Sequence, residues 1–185
     1  PHNGFGAHPH RDMEIITYVR TGAITHEDSL GNRGRTEAGD VQVMSAGSGI
    51  THSEFNREDD ATTLFQIWLI PDETGGKPSW GTRPFPRHER NGRLVPLASG
   101  FPEDNALPIR TRGRVCGATL KAGETLTFQT DRTMFTYLVP ATGSVEIDGR
   151  LVGHRDGAAL HDVESITITA REDAEIVLVE SAALR

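Results

Sequence analysis

Hydrophobic and polar residues alternate along most of this chain in short runs, and Gly, Asp or Pro close nearly every run. Met13–Arg20 is rich in β-branched and aromatic residues and ends on Thr21-Gly22, the signature of a strand running into a turn. Gly22–Ser29 reads as the returning strand and Leu30–Gly34 as the next turn, while Val41–Met44 alternates after the turn Ala38-Gly39-Asp40. Thr62–Ile70 is the strongest strand signal in the chain and is stopped by Pro71. Short strands at roughly ten-residue spacing with glycine turns predict an antiparallel sandwich or barrel.

From Pro71 to Pro108 the pattern changes. Prolines at 71, 78, 84, 86, 96, 102 and 108, with Gly75-Gly76, predict a surface connector carrying only a few short strands such as Arg93–Leu97. Strand-like runs then resume at Arg114–Lys121, Glu124–Gln129, Met134–Val139, Gly143–Ile147, Ser165–Ala170 and Glu175–Glu180, with Asp148-Gly149 as a hairpin turn. No segment carries a helical stripe. The expected class is therefore all-β in two halves: residues 1–70, a connector at 71–108, and residues 109–185. The halves share a turn-then-strand pattern, Thr21–His26 against Thr142–Ile147, but only the first contains clustered histidines.

Composition narrows the function. The 185 residues are 36% hydrophobic and 24% charged, ordinary for a globular chain long enough to bury a sizeable core. A net charge of −7, with no basic run, argues against nucleic acid or an anionic membrane as a direct partner. Cys116 is the only cysteine, which excludes an internal disulfide and fits a reducing, cytoplasmic setting. No apolar run approaches a membrane span and no signal peptide is visible. The chain opens at Pro1 directly into a motif, so a native N-terminal segment is expected to precede it.

The candidate chemistry lies in two stretches, Gly4-Phe5-Gly6-Ala7-His8-Pro9-His10 and Gly47-Ser48-Gly49-Ile50-Thr51-His52-Ser53-Glu54. Alternate residues of a strand share a face, so His8 pairs with His10 and His52 with Glu54. On neighbouring strands these pairs would aim three imidazoles and a carboxylate at one point. Such a donor set suits Fe(II), Mn(II), Ni(II), Cu(II) or Zn(II) and is not thiolate-rich. Two carboxylates compete for the fourth position. Glu14 shares strand parity with His10 but lies ~13 Å along a straight strand, whereas Glu54 is ~7 Å from His52. Reach favours Glu54, with Glu14 in support or as alternate ligand, and a bulge would reverse the order. Gly47 and Gly49 permit close backbone approach before His52, and Pro9 fixes φ between the two histidines. His26, His88, His154 and His161 read as surface or hydrogen-bonded residues, and Cys116 as a buried apolar one. Met44, Phe65 and Trp68 read as core or cavity lining. Glu58-Asp59-Asp60 and Arg87–Arg90 read as exposed.

The runs His8–Glu14 and Met44–Glu54, with Phe65-Gln66-Ile67-Trp68 and Pro71, resemble the pirins, specifically the bacterial pirin-like quercetin 2,3-dioxygenases. That resemblance spans essentially the whole chain. It implies a bicupin, two double-stranded β-helix barrels, with one divalent metal ion in the N-terminal barrel alone. Residues 1–70 would be that metal-binding cupin domain and 109–185 the metal-free one. The family's ligands carry over to His8, His10, His52 and Glu54, which resolves the carboxylate toward Glu54. Asn56 fits the second cupin motif, while Ser45 stands near where that motif usually has proline.

The activity so implied is metal-dependent cleavage of a flavonol such as quercetin by O2 with release of CO. Fe(II) is the first expectation for the ion, with Zn, Mn, Ni, Cu and Co as the others. Glu54 would serve as ligand and general base for the substrate's 3-hydroxyl, and a small flavonoid and O2 would be the partners. The alternative implied by eukaryotic pirins is a non-enzymatic, metal- or redox-responsive regulatory protein with a protein partner. A third is a cupin acting on another small molecule, since fold does not fix function.

Overall fold

The computed structural model describes residues 1–85 and 87–183, with Arg87 described by its backbone alone. Its eighteen strands are β1 (Asn3–His10), β2 (Glu14–Thr21), β3 (Ala23–Asp28), β4 (Arg33–Glu37), β5 (Val41–Ser45), β6 (Ile50–Asn56), β7 (Thr63–Leu69), β8 (Ser79–Arg83), β9 (Val95–Ser99), β10 (Leu107–Pro108), β11 (Gly113–Leu120), β12 (Thr125–Gln129), β13 (Met134–Thr142), β14 (Val145–Ile147), β15 (Arg150–Val152), β16 (Ala158–His161), β17 (Ser165–Ala170) and β18 (Ala174–Ala182). Among the described residues, two 3-10 turns, at Arg87–Arg90 and Pro102–Asp104, are the remaining regular elements. The all-β class expected from the alternation is what the chain adopts.

Two compact units emerge: Pro1–Pro86 with Leu107–Thr111, and Arg87–Ala106 with Arg112–Arg185. These limits differ from 1–70, 71–108 and 109–185. The prolines of the connector bound short strands, and these strands join the sheets of the units. Between Pro78 and Pro84 the chain forms β8, which pairs antiparallel with β5 and completes a sheet of the first unit. Val95–Ser99 pairs with β11 despite Pro96, where the register shifts. The connector is thus divided between the units. Its 3-10 turn is also less exposed than its charge suggests, because Arg90 is fully buried and lies against Gly117.

The first unit contains two four-stranded sheets, β1-β6-β3-β4 and β7-β2-β5-β8. In the second, β9-β11-β18-β13-β16 forms one sheet and β12-β17-β14-β15 the other. Asp148 and Gly149 take φ of 48° and 81°, the left-handed pair that a tight hairpin between β14 and β15 requires. The main core of the second unit is apolar, built from side chains such as Leu138, Ile166, Ile168, Ile176 and Leu178. Burying each contributes about 1.5–3 kcal/mol. One apolar cluster of the first unit is formed by Ile15, Met44, Ala46 and Ile50. The same unit also buries Ile16, Val19, Ile24, Val41 and Val43, and sets Thr17, Gln42, His52 and Glu54 among these apolar side chains.

Candidate metal centre

Strand pairing brings the two motifs together. β1 and β6 run antiparallel with His8 opposite His52 and His10 opposite Ile50. A bulge between Phe5 and His8 resets the register just before the first histidine. Gly47, at φ +47°, turns the chain into β6, and a Cβ there would lie 2.5 Å from the carbonyl oxygen of Gly76. Any side chain would therefore displace the loop that delivers His52.

His8, His10 and His52 each place a ring nitrogen within 4.8 Å of the others. His8 Nε2 and His52 Nε2 are 3.1 Å apart. Two nitrogens bound at ~2.1 Å to one ion at right angles would lie ~3 Å apart, so the pair is spaced to share an ion. His8 Nδ1 donates to the Gly6 carbonyl at 2.7 Å, which leaves Nε2 its lone pair. His10 Nε2 is buried with no hydrogen-bond partner. An orphaned imidazole nitrogen beside two convergent ones fits a metal ion better than it fits a closed protein interior. Burial and its histidine neighbours push the pKa of His52 down to about 3, and burial with His8 lowers that of His10. Both rings are thereby kept neutral and available as ligands.

Glu54 shares the buried face of β6 with His52. Its carboxylate lies within 4.8 Å of ring nitrogens of His52 and His26, a second cluster that has His52 in common with the first. Three donors from the opposite sheet hold it. Gln42 Nε2 donates to Oε1 and Gln66 Nε2 to Oε2, both at 2.6 Å, and Thr17 Oγ1 donates to Oε1 at 3.4 Å. Gln42, Thr17 and Gln66 are cross-strand neighbours on β5, β2 and β7, one polar row facing one carboxylate. Each amide is oriented in turn, because Gln42 Oε1 accepts from Thr36 and Gln66 Oε1 accepts from the Trp68 indole. Burial raises the pKa of Glu54, opposed by the hydrogen bonds of Gln66 and Thr17 and by the neighbouring histidines.

Glu14, the competing carboxylate, goes elsewhere. Asp12 takes φ +49° and breaks the strand, so parity does not carry from His10 into β2. Thr17 faces Glu54, and Glu14, an odd number of residues away, lies on the opposite face. There its Oε2 accepts from Ser45 at 2.6 Å, and burial raises its pKa.

Sequence reasoning missed two groups. His26 is fully buried: its Nε2 is 3.0 Å from Asp28 Oδ2 and its Nδ1 3.4 Å from His52 Nδ1. Trp80 stacks on its ring at 4.9 Å and 9°, in space that only a glycine at position 34 leaves open. His26-x-Asp28 has the same alternation as His52-x-Glu54, so the signal was present. The second group is the row Thr17, Gln42 and Gln66, isolated polar residues within the apolar runs of three strands. At the rim Trp68 meets His10 edge-on at 5.1 Å and is half exposed, so it is not core. Met44 is core, and Cys116 is buried with its thiol pKa pushed up to about 12 by desolvation. His88, His154 and His161 are exposed.

Known proteins share this chain's pattern. Residues 2–69 match the Pirin family, and residues 96–180 match the quercetinase C-terminal cupin domain. A pirin-like protein of Caulobacter vibrioides is 62% identical over 98% of this chain and 79% of its own length. The quercetin 2,3-dioxygenase of Escherichia coli K12 is 35% identical over 96% of this chain and 76% of its own. In three dimensions, the Escherichia coli pirin YhhW in complex with nickel(II) superposes with a TM-score of 0.89 at 34% identity, covering 98% of this chain and 77% of that one.

Proposed function

This chain belongs to the pirin family, and from that premise we propose that it is a metal-dependent dioxygenase cleaving a flavonol such as quercetin. His8, His10, His52 and Glu54 would hold one divalent transition metal ion, Fe(II) in the working enzyme. When bound, that ion supplies a Lewis-acidic, redox-active centre at which the flavonol oxygens and dioxygen meet. The single observation that carries the reading is the convergence of three imidazoles, one with an orphaned buried nitrogen, beside a buried carboxylate.

The protein's own groups have distinct tasks. His8 is fixed with its lone pair inward by the Gly6 carbonyl. Glu54 takes the proton of the flavonol 3-hydroxyl, and two properties suit it to this. Burial makes it a stronger base than a surface carboxylate, and the donors Gln42, Gln66 and Thr17 keep both oxygens as acceptors in a fixed plane. Phe5 and Trp68, exposed beside His8 and His10, offer aromatic edges to a planar substrate.

Anaerobic mixing of metal-loaded protein with quercetin, followed by oxygen, tests the reaction directly. Oxygen uptake with carbon monoxide release is expected. Failure to turn over with any bound metal would instead favour a metal-responsive regulatory protein. The Glu54→Gln variant should retain some bound metal through the three histidines and lose about 10²–10⁴-fold in turnover, the usual contribution of a positioned base. Turnover at the wild-type rate in that variant would remove Glu54 from the base role.

A further inference from the structure

The imidazole of His52 has two nitrogens, and only Nε2 faces His8. What its Nδ1 faces decides whether Nε2 can bind a metal at all. A neutral imidazole carries one proton, so a proton on Nδ1 frees the Nε2 lone pair and a proton on Nε2 blocks it. The partner of Nδ1 is another histidine nitrogen, Nδ1 of His26, at 3.4 Å. That contact is satisfied when one nitrogen donates and the other accepts, and either direction is chemically available to an isolated pair.

Asp28 chooses the direction. Its side chain closes the turn between β3 and β4: Oδ1 accepts from the backbone amides of Leu30 at 2.9 Å and Asn32 at 3.1 Å, and from Asn32 Nδ2 at 3.2 Å. Oδ2 accepts from Asn32 Nδ2 at 2.9 Å and meets His26 Nε2 at 3.0 Å. A carboxylate so placed only accepts, so His26 must carry its proton on Nε2. Its Nδ1 is then a lone pair aimed at His52. Stacking against Trp80 holds the His26 ring in the plane this requires.

We propose that Asp28 and His26 are positioning residues that act in series to set the tautomer of His52, placing its proton on Nδ1 and its lone pair on Nε2 toward the metal. The inference rests on the reading of His52 as a ligand. It lengthens the usual carboxylate–histidine–metal arrangement by one imidazole. The order is Asp28 Oδ2, His26 Nε2–H, His26 Nδ1, His52 Nδ1–H, His52 Nε2.

Asp28→Asn is the discriminating change because it preserves shape. The two backbone amides on Oδ1 require an oxygen there, which turns the new amide nitrogen toward His26 Nε2 and leaves Asn32 Nδ2 its contact with the oxygen alone. His26 must then move its proton to Nδ1, and His52 must accept on Nδ1 and carry its proton on Nε2, blocking the metal. Histidine tautomers are read directly by long-range 15N–1H NMR on 15N-histidine-labelled protein, and zinc affinity by competition with a chromophoric chelator. In the metal-free wild type, His52 should be protonated on Nδ1 and His26 on Nε2. In Asp28→Asn both protons should exchange positions, and zinc should bind about 10- to 100-fold more weakly, the usual effect of removing a metal ligand's supporting partner. His26→Phe should weaken zinc similarly, whereas His26→Asn, which can offer Oδ1 where Nδ1 stood, should bind closer to wild type.

Wild-type His52 found with its proton on Nε2 overturns the proposal. So does an Asp28→Asn variant with unchanged tautomers and unchanged zinc affinity. Two zinc ions per chain would also overturn it, since His26, His52 and Glu54 would then be holding a second ion where the relay needs a proton. If the wild type instead shows the expected tautomers but binds no zinc, the metal reading fails while the relay stands.

Discussion

The two units of this chain are built alike and filled differently. In the first, Gln66, Thr17 and Gln42 form a cross-strand row on β7, β2 and β5. In the second, Cys116, Leu178 and Leu138 form a comparable row on β11, β18 and β13. Five of these six side chains are almost wholly buried; the exception, Gln66, lies at the more exposed edge strand and still reaches Glu54. The second row presents two leucines and a buried thiol to an apolar cluster. The first gives up part of that apolar stabilisation to hold one carboxylate opposite three histidines. Paired β architecture thus supports a site in one copy and a plain core in the other, and the difference rests on a few inward positions.

The largest effect expected from breaking this comparison is on stability. Leu178→Ala removes a fully buried side chain from the second interior and should cost about 2–5 kcal/mol. The two tryptophans, Trp68 and Trp80, both lie in the first unit, so fluorescence follows that unit while far-UV dichroism follows both. In a urea titration the dichroism midpoint should fall, and turnover per folded molecule should stay at the wild-type level. A loss of turnover below the unfolding transition would show that the apolar unit is more than a packed scaffold.

Much of this division was legible in the sequence, and the parts that were not have physical reasons. Alternation and turn residues located most strands, because a half-buried strand writes its period directly into the chain. β4 and β8 were missed, since Arg33-Gly34-Arg35-Thr36-Glu37 has almost no apolar residue and Ser79–Arg83 sits among prolines. What makes each a strand is its partner, β3 for one and β5 for the other. The three histidines were legible through parity within each motif. Parity failed for Glu14 because a single left-handed residue, Asp12, separates it from His10. The supports of the site lay further out of reach. Thr17, Gln42 and Gln66 are distant in sequence and become one row only through sheet register, which no single segment encodes.

A smaller and sharper test makes the first interior resemble the second. Gln42→Leu replaces one member of the polar row with the residue type its counterpart row uses. Glu54 loses its 2.6 Å donor at Oε1, and the Thr36 hydroxyl loses its acceptor. Those buried oxygens keep only their longer contacts to Thr17 and Thr82, and the loss should cost about 1 kcal/mol, partly offset by the added apolar surface. The functional loss should exceed the structural one, with turnover reduced while zinc content is retained. If stability and turnover were both unchanged, the row would have no part in holding Glu54.

The last difference is in response to acid. Burial, reinforced by His26, His8 and His10, sets the pKa of His52 at about 3 in the folded protein, against an ordinary value of 6.5. Between those limits the unfolded chain binds a proton that the folded chain refuses. Metal-free protein should therefore keep this contribution above pH 6.5 and lose stability progressively as the pH falls toward 3. Glu14 and Glu54 act in the opposite sense: burial raises both, so each weighs against the fold as pH rises through its folded value and less as pH falls. Urea midpoints followed by tryptophan fluorescence should accordingly fall as the pH is lowered from 7 to 5, and less steeply in His52→Gln. An equal slope in that variant would place the acid response in other groups. Saturating zinc should steepen the dependence further, because protons and metal then compete for the same nitrogens.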